Sequence, residues 1–222
     1  NQRLERTLEG LDLEGKDILD IGSGTGDLYD AVIERWPGAR FHATDISAGM
    51  LARSRVPSER KFVGAAQDHP FATKRFDLIT LLGVTTYMDD EELDRHLAFV
   101  ADSLRPGGIA VVSFTNAHAL DHWMRQLLKP LLRLFGPSDK VLSSGLRIHP
   151  RSAAEARRAI ERHMKPTALV LLNQTVFPIS RLLPGPSLAL ARRLERVPGS
   201  SAWKRWLSSD LLFRACRPAD LA

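Results

Sequence analysis

Two acids and three glycines stand where they could hold a ligand. Asp20 lies in an apolar run, Ile18-Leu19-Asp20-Ile21, and Gly22, Gly24 and Gly26 follow at alternate positions, with Ser23 after the first. A second apolar run, Phe41 to Thr44, ends in Asp45, nineteen residues past Gly26. A strand, a glycine turn, a helix, a strand and then an acid is the layout of a nucleoside-cofactor pocket in a doubly wound sheet. Gly22 lets the chain leave its strand sharply, and Gly24 removes side-chain bulk where a ligand can approach backbone. Gly26 opens a helix whose amides attract an anionic group. Asp45 is placed to accept hydrogen bonds from two ribose hydroxyls; its other reading is an acid that caps the following helix. A second group of residues could move a proton: Thr86, Tyr87, His118, His122 and, more weakly, His149. His118 and His122 are four apart and would share a helix face. That spacing suits a metal, but no third ligand accompanies it, so no metal is expected. Each histidine alone also reads as a surface or capping residue.

The elements that must position these residues follow from pattern. A short helix is expected over 1–9, a buried strand over 16–21, and a helix over 27–36 stopped by Pro37-Gly38. Strands follow at 40–44, 60–63, 76–82 and 109–115. Ser47 is expected to cap a helix running to about Arg55. Asp89 and Asp90 open a helix to Leu104, where acids in the first turn complement the helix dipole. Arg105-Pro106-Gly107-Gly108 reads as a sharp turn. Ser152 with Glu155 forms a capping box for a helix to about His163, and strands six and seven are expected at 167–175 and 210–216. The alternation implies an α/β fold: a doubly wound, mostly parallel seven-stranded sheet with helices on both faces.

The glycine spacing departs from the G-x-G-x-x-G of a dinucleotide site, which argues against a nicotinamide oxidoreductase. Here the sequence resembles the class I S-adenosylmethionine-dependent methyltransferase family, of the type 11/25 kind. Leu19 to Gly26 is similar to its first motif, and Thr44-Asp45-Ile46-Ser47 to its ribose-binding acid and adenine contact. Val63 to Phe71 is similar to its adenine loop, Phe76-Asp77-Leu78-Ile79 to its fourth strand, and Leu104 to Gly108 to its turn before strand five. The resemblance is close over about 15–115 and loose beyond. It implies S-adenosylmethionine as methyl donor and S-adenosylhomocysteine as product. It also implies that Asp20, Gly22, Ser23, Gly24 and Gly26 hold the methionine end and Asp45 the ribose. Ile46 and Met50 would flank the adenine. Ala66 would offer its amide to the ring with Gln67 nearby, and Leu82 and Gly83 would touch the methionine portion. Core packing is the competing reading for Ile46, Met50 and Leu82. Ala65 departs from the family, which often places an acid there to bond the adenine amino group; Gln67 or Asp68 would have to accept it instead. A non-catalytic S-adenosylmethionine-binding module is the alternative from outside the enzyme class.

The 222 residues are read as one methyltransferase domain, 1–222, with insertions at 117–150 and 177–208 that act as a substrate lid. A single cysteine, Cys216, excludes an internal disulfide, and no signal-peptide pattern or membrane-length apolar run is seen. The expected location is cytoplasmic, with a peripheral contact at the inner membrane face as an option. Charge is unevenly distributed. Residues 1–122 carry 13 Lys/Arg against 20 Asp/Glu, whereas residues 123–207 carry 16 against 4. The first insertion is strongly apolar. The second sets Leu188, Leu190, Ala191 and Leu194 against Arg192, Arg193 and Arg196, then ends in Trp203-Lys204-Arg205-Trp206. Such a segment suits a lid, or contact of 181–207 with an anionic membrane; nucleic acid is the least favoured partner. The expected acceptor is small and hydrophobic or amphipathic, natural-product or lipid-like, and methylated at O or N. The runner-up is a phospholipid or lipid-linked headgroup.

Overall fold

A computed structural model describes residues 2–68, 75–120, 147–174 and 202–217. Seven strands form one sheet: β1 (Asp17–Ile21), β2 (Arg40–Asp45), β3 (Lys61–Val63), β4 (Phe76–Leu81), β5 (Leu104–Thr115), β6 (Lys165–Gln174) and β7 (Ser208–Cys216). Their order is β3-β2-β1-β4-β5-β7-β6. The first five pair in parallel, and β7 runs antiparallel between β5 and β6. The described helices are α1 (Gln2–Leu8), α2 (Asp27–Arg35), α3 (Ala48–Leu51), α4 (Asp90–Ser103), α5 (Ala153–Glu161) and α6 (Ala202–Leu207).

Alternation along the strands divides the core into two layers. Leu19, Ile79, Leu81, Val112, Leu211 and Phe213 pack on one side with Leu93, Leu97 and Val100 of α4 and Ala156 and Ile160 of α5. Ile18, Phe41, Leu78, Val111 and Leu212 pack on the other with Leu8 of α1, Leu28 and Val32 of α2 and Leu51 of α3. Phe41, Phe76, Phe114 and Phe213 are fully buried, each contributing on the order of 2–3 kcal/mol of apolar transfer.

Three expected caps are present. Ser47 accepts from the Met50 amide, Asp89 from the Glu92 amide, and Ser152 and Glu155 form a reciprocal box. Two boundaries differ most from expectation. The helix after Ser47 ends at Leu51 instead of Arg55. The Leu51 carbonyl, which the Arg55 amide would need in the longer helix, instead accepts the Ser54 amide at 3.0 Å and the Lys61 ammonium at 3.1 Å. Strand five begins at Leu104, before the Arg105–Gly108 turn. Phe76 pairs with Leu104 and Leu78 with Ile109, so the turn is looped out within the ladder. There Arg105 joins Asp17 and Asp77, and Arg40 grips Asp17 through two 2.8 Å bonds. Those guanidiniums, Arg40 first, hold the Asp17 carboxyl well below the usual carboxylate range, against the opposing effect of burial.

The strand order reverses between β1 and β4, because β1 leads outward to β2 on one side while β4 leads to β5 on the other. In an open sheet that reversal opens a crevice at the carboxyl ends of the strands. The register Ile21 to Leu81 and Ile21 to Thr44 sets Gly22, Leu82 and Asp45 around that point.

Candidate functional site

The glycine turn is built as its sequence required, with one partner that the sequence did not show. Gly22 has φ 71 and Gly26 φ 86, both left-handed. The Gly22 and Ser23 amides both donate to the Thr44 carbonyl, at 2.8 and 3.0 Å, which folds the turn back over β2. A Cβ on Gly22 would fall inside the Val84 side chain, so this glycine is required by packing as well as by φ. Gly26 is the N-cap of α2 and lies against Ser54, where a Cβ would collide with Oγ. Gly24 is different. A Cβ there would meet only the Met50 methyl, at 3.4 Å, which leaves its surface open to a ligand.

Asp45 ties the turn together. Its carboxylate accepts the Gly24 amide at 2.8 Å and the Ser47 amide at 2.8 Å. It braces the start of α3, and it stands half-buried at the crevice with further lone pairs on the same oxygens. The next residue, Ile46, is 84% exposed. An apolar side chain held open beside a carboxylate at a strand end suits the face of a flat ring next to a polyol. Ala66 is buried at the start of a 3-10 turn, Ala66–Asp68, and Gln67 Oε1 is buried without a hydrogen-bond partner, as is Ser23 Oγ. Unsatisfied buried acceptors are costly unless something else bonds them. Gln67 and Asp68, the two acceptors expected to replace an acid at Ala65, both lie in this turn.

Asp20 lies beneath the turn and is buried, with Oδ1 accepting the Thr80 hydroxyl at 2.6 Å. Burial pushes its carboxyl up to about 7; the Thr80 bond opposes the shift and the Asp45 charge adds to it. The carboxyl is thus poised between neutral and charged near neutral pH. Leu82 and Gly83 leave β4 beside Gly22, and the Gly83 amide donates to Ser113 Oγ of β5 at 2.8 Å.

The proton-transfer candidates separate. Tyr87 ends the 3-10 turn Thr85–Tyr87 and is 51% exposed. His149 is brought to the same turn, its amide donating to the Thr86 carbonyl at 2.6 Å. His118 sits in a turn after β5, its amide donating to Asn116 Oδ1 at 3.1 Å, and not on the helix face it was expected to share with His122. His122 lies outside the described residues, as do most of the two insertions. No group of three or more His, Cys, Asp or Glu able to hold a metal occurs among the described residues.

Sequence reasoning missed the clamp that roots both insertions. Asn116 is buried at the end of β5, and its Nδ2 donates to the carbonyls of Arg205 and Ser208 at 2.7 and 2.8 Å. It also forms a parallel bridge with Arg151. The Arg151 guanidinium is buried as well, donating to the Thr85 and Met88 carbonyls and to Asp90. The chain that leaves β5 after Asn116, its return at Arg151 and the end of the second insertion thus converge beside Thr85–Tyr87. A lone Asn after a strand carries no local signal of such a role. Of the Trp203–Trp206 tetrad, Trp203 and Trp206 are 43% and 62% exposed and Arg205 is exposed. Lys204 is buried, its ammonium 5.8 Å from the Trp203 ring. No helix among the described residues is long and apolar enough to cross a membrane.

Residues 18–108 match the profile of a methyltransferase domain family. The chain is 33% identical over 134 residues to a malonyl-acyl-carrier-protein O-methyltransferase of Acetivibrio thermocellus, covering 55% of this chain and 47% of that protein. It is 32% identical over 106 residues to a trans-aconitate 2-methyltransferase of Rhodopseudomonas palustris strain BisB5, covering 47% and 40%. This chain thus spans less than half the length of these relatives. Among solved structures, an S-adenosylmethionine-dependent methyltransferase from Mesorhizobium loti superposes with a TM-score of 0.62 at 21% identity. That match covers 97% of this chain and 96% of the other and supports the fold.

Proposed function

We propose that the chain, whose residues 18–108 match the profile of a methyltransferase domain, is a class I S-adenosylmethionine-dependent methyltransferase that transfers a methyl group from S-adenosylmethionine to a small hydrophobic or amphipathic acceptor, natural-product or lipid-like, at oxygen or nitrogen. The observation that carries the reading is the set of groups left open around the crevice: the Asp45 carboxylate, bare Gly24, exposed Ile46, and the partnerless Ser23 Oγ and Gln67 Oε1. S-adenosylmethionine is the cofactor of this domain, and when bound it supplies a methyl group on a positively charged sulfur.

What the chain's own residues do follows from their placement. Asp45 accepts the ribose hydroxyls while keeping its bonds to Gly24 and Ser47, so the sugar-binding oxygens do not need to reorganise on binding. Ile46 and Met50 cover the ring, and Gln67 Oε1 accepts its amino group. The Gly22–Gly26 backbone, Leu82 and Gly83 line the methionine end. Positive charge on sulfur disperses during an in-line displacement, so positioning and exclusion of water supply much of the rate. A base is needed only where the acceptor must lose a proton, and Tyr87 and His149, at the Thr85–Tyr87 turn, are the groups placed for it. His118 is the third candidate, at the root of the first insertion.

The apolar first insertion and the basic second one, both rooted at Asn116, support the choice of acceptor. The O-directed name of the malonyl-acyl-carrier-protein relative supports transfer to oxygen. Calorimetry on the intact chain tests the reading: S-adenosylhomocysteine binds, Asp45→Ala binds at least tenfold more weakly, and NAD does not compete. Tight NAD binding with no binding of S-adenosylhomocysteine would sink the proposal. Exposed Trp203, Arg205 and Trp206 favour peripheral contact with an anionic membrane as a second reading. It requires more protein to pellet with anionic than with neutral vesicles.

A further inference from the structure

Arg3 lies outside the matched family span and outside every motif in the sequence, yet the fold delivers its guanidinium to the crevice. Helix α1 is fixed across the sheet at both ends. At its C-terminal end, Arg214 Nη2 of β7 donates to the carbonyls of Arg6, Thr7 and Glu9 at 2.8, 3.3 and 2.6 Å. At the same end, Thr7 and Leu8 are buried. At its N-terminal end, Arg3 Nη2 donates to Asp210 Oδ2 at 2.7 Å. Asp210 is itself held by the Asn173 amide, and Asn173 adopts φ 54, a left-handed backbone that is costly for a residue with a Cβ. The guanidinium is therefore anchored through one nitrogen on a braced carboxylate.

The other two nitrogens are not used. Arg3 Nε is buried without a hydrogen-bond partner, and Nη1 makes no hydrogen bond among the described residues. Nη1 stands against Gly83, so close that a Cβ there would lie 3.0 Å away. Gly83 follows β4 beside the Gly22 turn, at the end of the crevice away from Asp45 and Ile46. Half-buried, anchored and partly unsatisfied, this guanidinium is preorganised for one more planar anion.

We propose that Arg3, positioned by Asp210 and Asn173, is a carboxylate-binding residue of the transfer site. The inference rests on the methyltransferase reading. Two carboxylates could occupy the position: that of the cofactor's amino-acid end, or one on the acceptor.

Calorimetry on the full chain, wild type against Arg3→Met and Arg3→Lys, separates these sources. The probes are S-adenosylhomocysteine and 5′-methylthioadenosine, which keeps the adenosine and thioether but lacks the amino-acid group. If the cofactor's carboxylate is bound, Arg3→Met weakens S-adenosylhomocysteine about 10- to 100-fold, as loss of a charge-assisted hydrogen bond implies. Methylthioadenosine then changes less than twofold, and Arg3→Lys recovers part of the loss. If the carboxylate belongs to the acceptor, S-adenosylhomocysteine is unchanged, and trans-aconitate binds the S-adenosylhomocysteine-saturated wild type but not Arg3→Met. Equal weakening of both nucleosides, which marks a misfolded or merely structural variant, overturns the inference. So does no change with any probe. A wild type that binds neither nucleoside overturns the methyltransferase reading itself.

Discussion

Replacing Asp20 by Asn isolates a carboxyl that the fold prefers to keep neutral. Its ordinary value of 3.8 is pushed up to about 7 by complete burial at the end of β1. A raised carboxyl contributes stability that is fully present below its unfolded value and is lost as pH rises through its folded value. The window here runs from about pH 4 to pH 7. At 1.36 kcal/mol per unit, the full loss across that window is on the order of 4 kcal/mol. Between pH 5 and pH 8 the same two values imply a loss of roughly 2–3 kcal/mol. Asn keeps an oxygen for the Thr80 hydroxyl and removes the titration. Urea unfolding of wild type and Asp20→Asn at pH 5 and pH 8 should therefore show the wild type losing roughly 2–3 kcal/mol more than the variant. Asp17, with its depressed value, is ionised throughout that range. Equal pH dependence of the two proteins would refute the reasoning, because it would mean that the carboxyl is solvated in the fold or equally perturbed in the unfolded chain.

Two further outcomes are expected. Gly22→Ala should cost roughly 2–4 kcal/mol in urea unfolding, from a left-handed backbone and from overlap with Val84; the double variant Gly22→Ala/Val84→Ala should cost less than the sum of the single variants, and strict additivity would mean that Val84 does not bear on the turn. Asn116→Ala should cost on the order of 2–4 kcal/mol, because the Arg205 and Ser208 carbonyls lose their donor; Asn116→Asp, which sets a carboxylate against both carbonyls, should cost more, and an Asp variant as stable as wild type would contradict the clamp.

The legible parts of the protein were local ones. Helix caps at Ser47, Asp89 and Ser152 depend on residues three apart, so they could be read directly. The five parallel strands were marked by short apolar runs between turn residues, and their ends were right to within a residue or two for β1 to β4. The end of α3 falls short of the expected Arg55 because Lys61, ten residues beyond Leu51, takes its carbonyl. His118 was placed on a helix because apolar periodicity begins nearby; the Asn116 side chain closes a turn there instead.

The sequence by itself determined the glycine-turn half of the crevice. Asp20, the 22-24-26 glycines and Asp45 lie within 26 residues of one another, and a strand, a turn and a helix in succession bring such residues together with little help from the rest of the chain. Tertiary structure alone decided the other half. Arg3 meets Asp210 across 207 residues of sequence, Asn116 meets Ser208 across 92, and Arg151 meets Thr85 across 66. None of these pairs has a spacing that a helix or a hairpin could impose. They meet because β7 inserts antiparallel between β5 and β6, and because α1 must cover the apolar face that β7 presents. That packing carries an otherwise ordinary N-terminal arginine to Gly83.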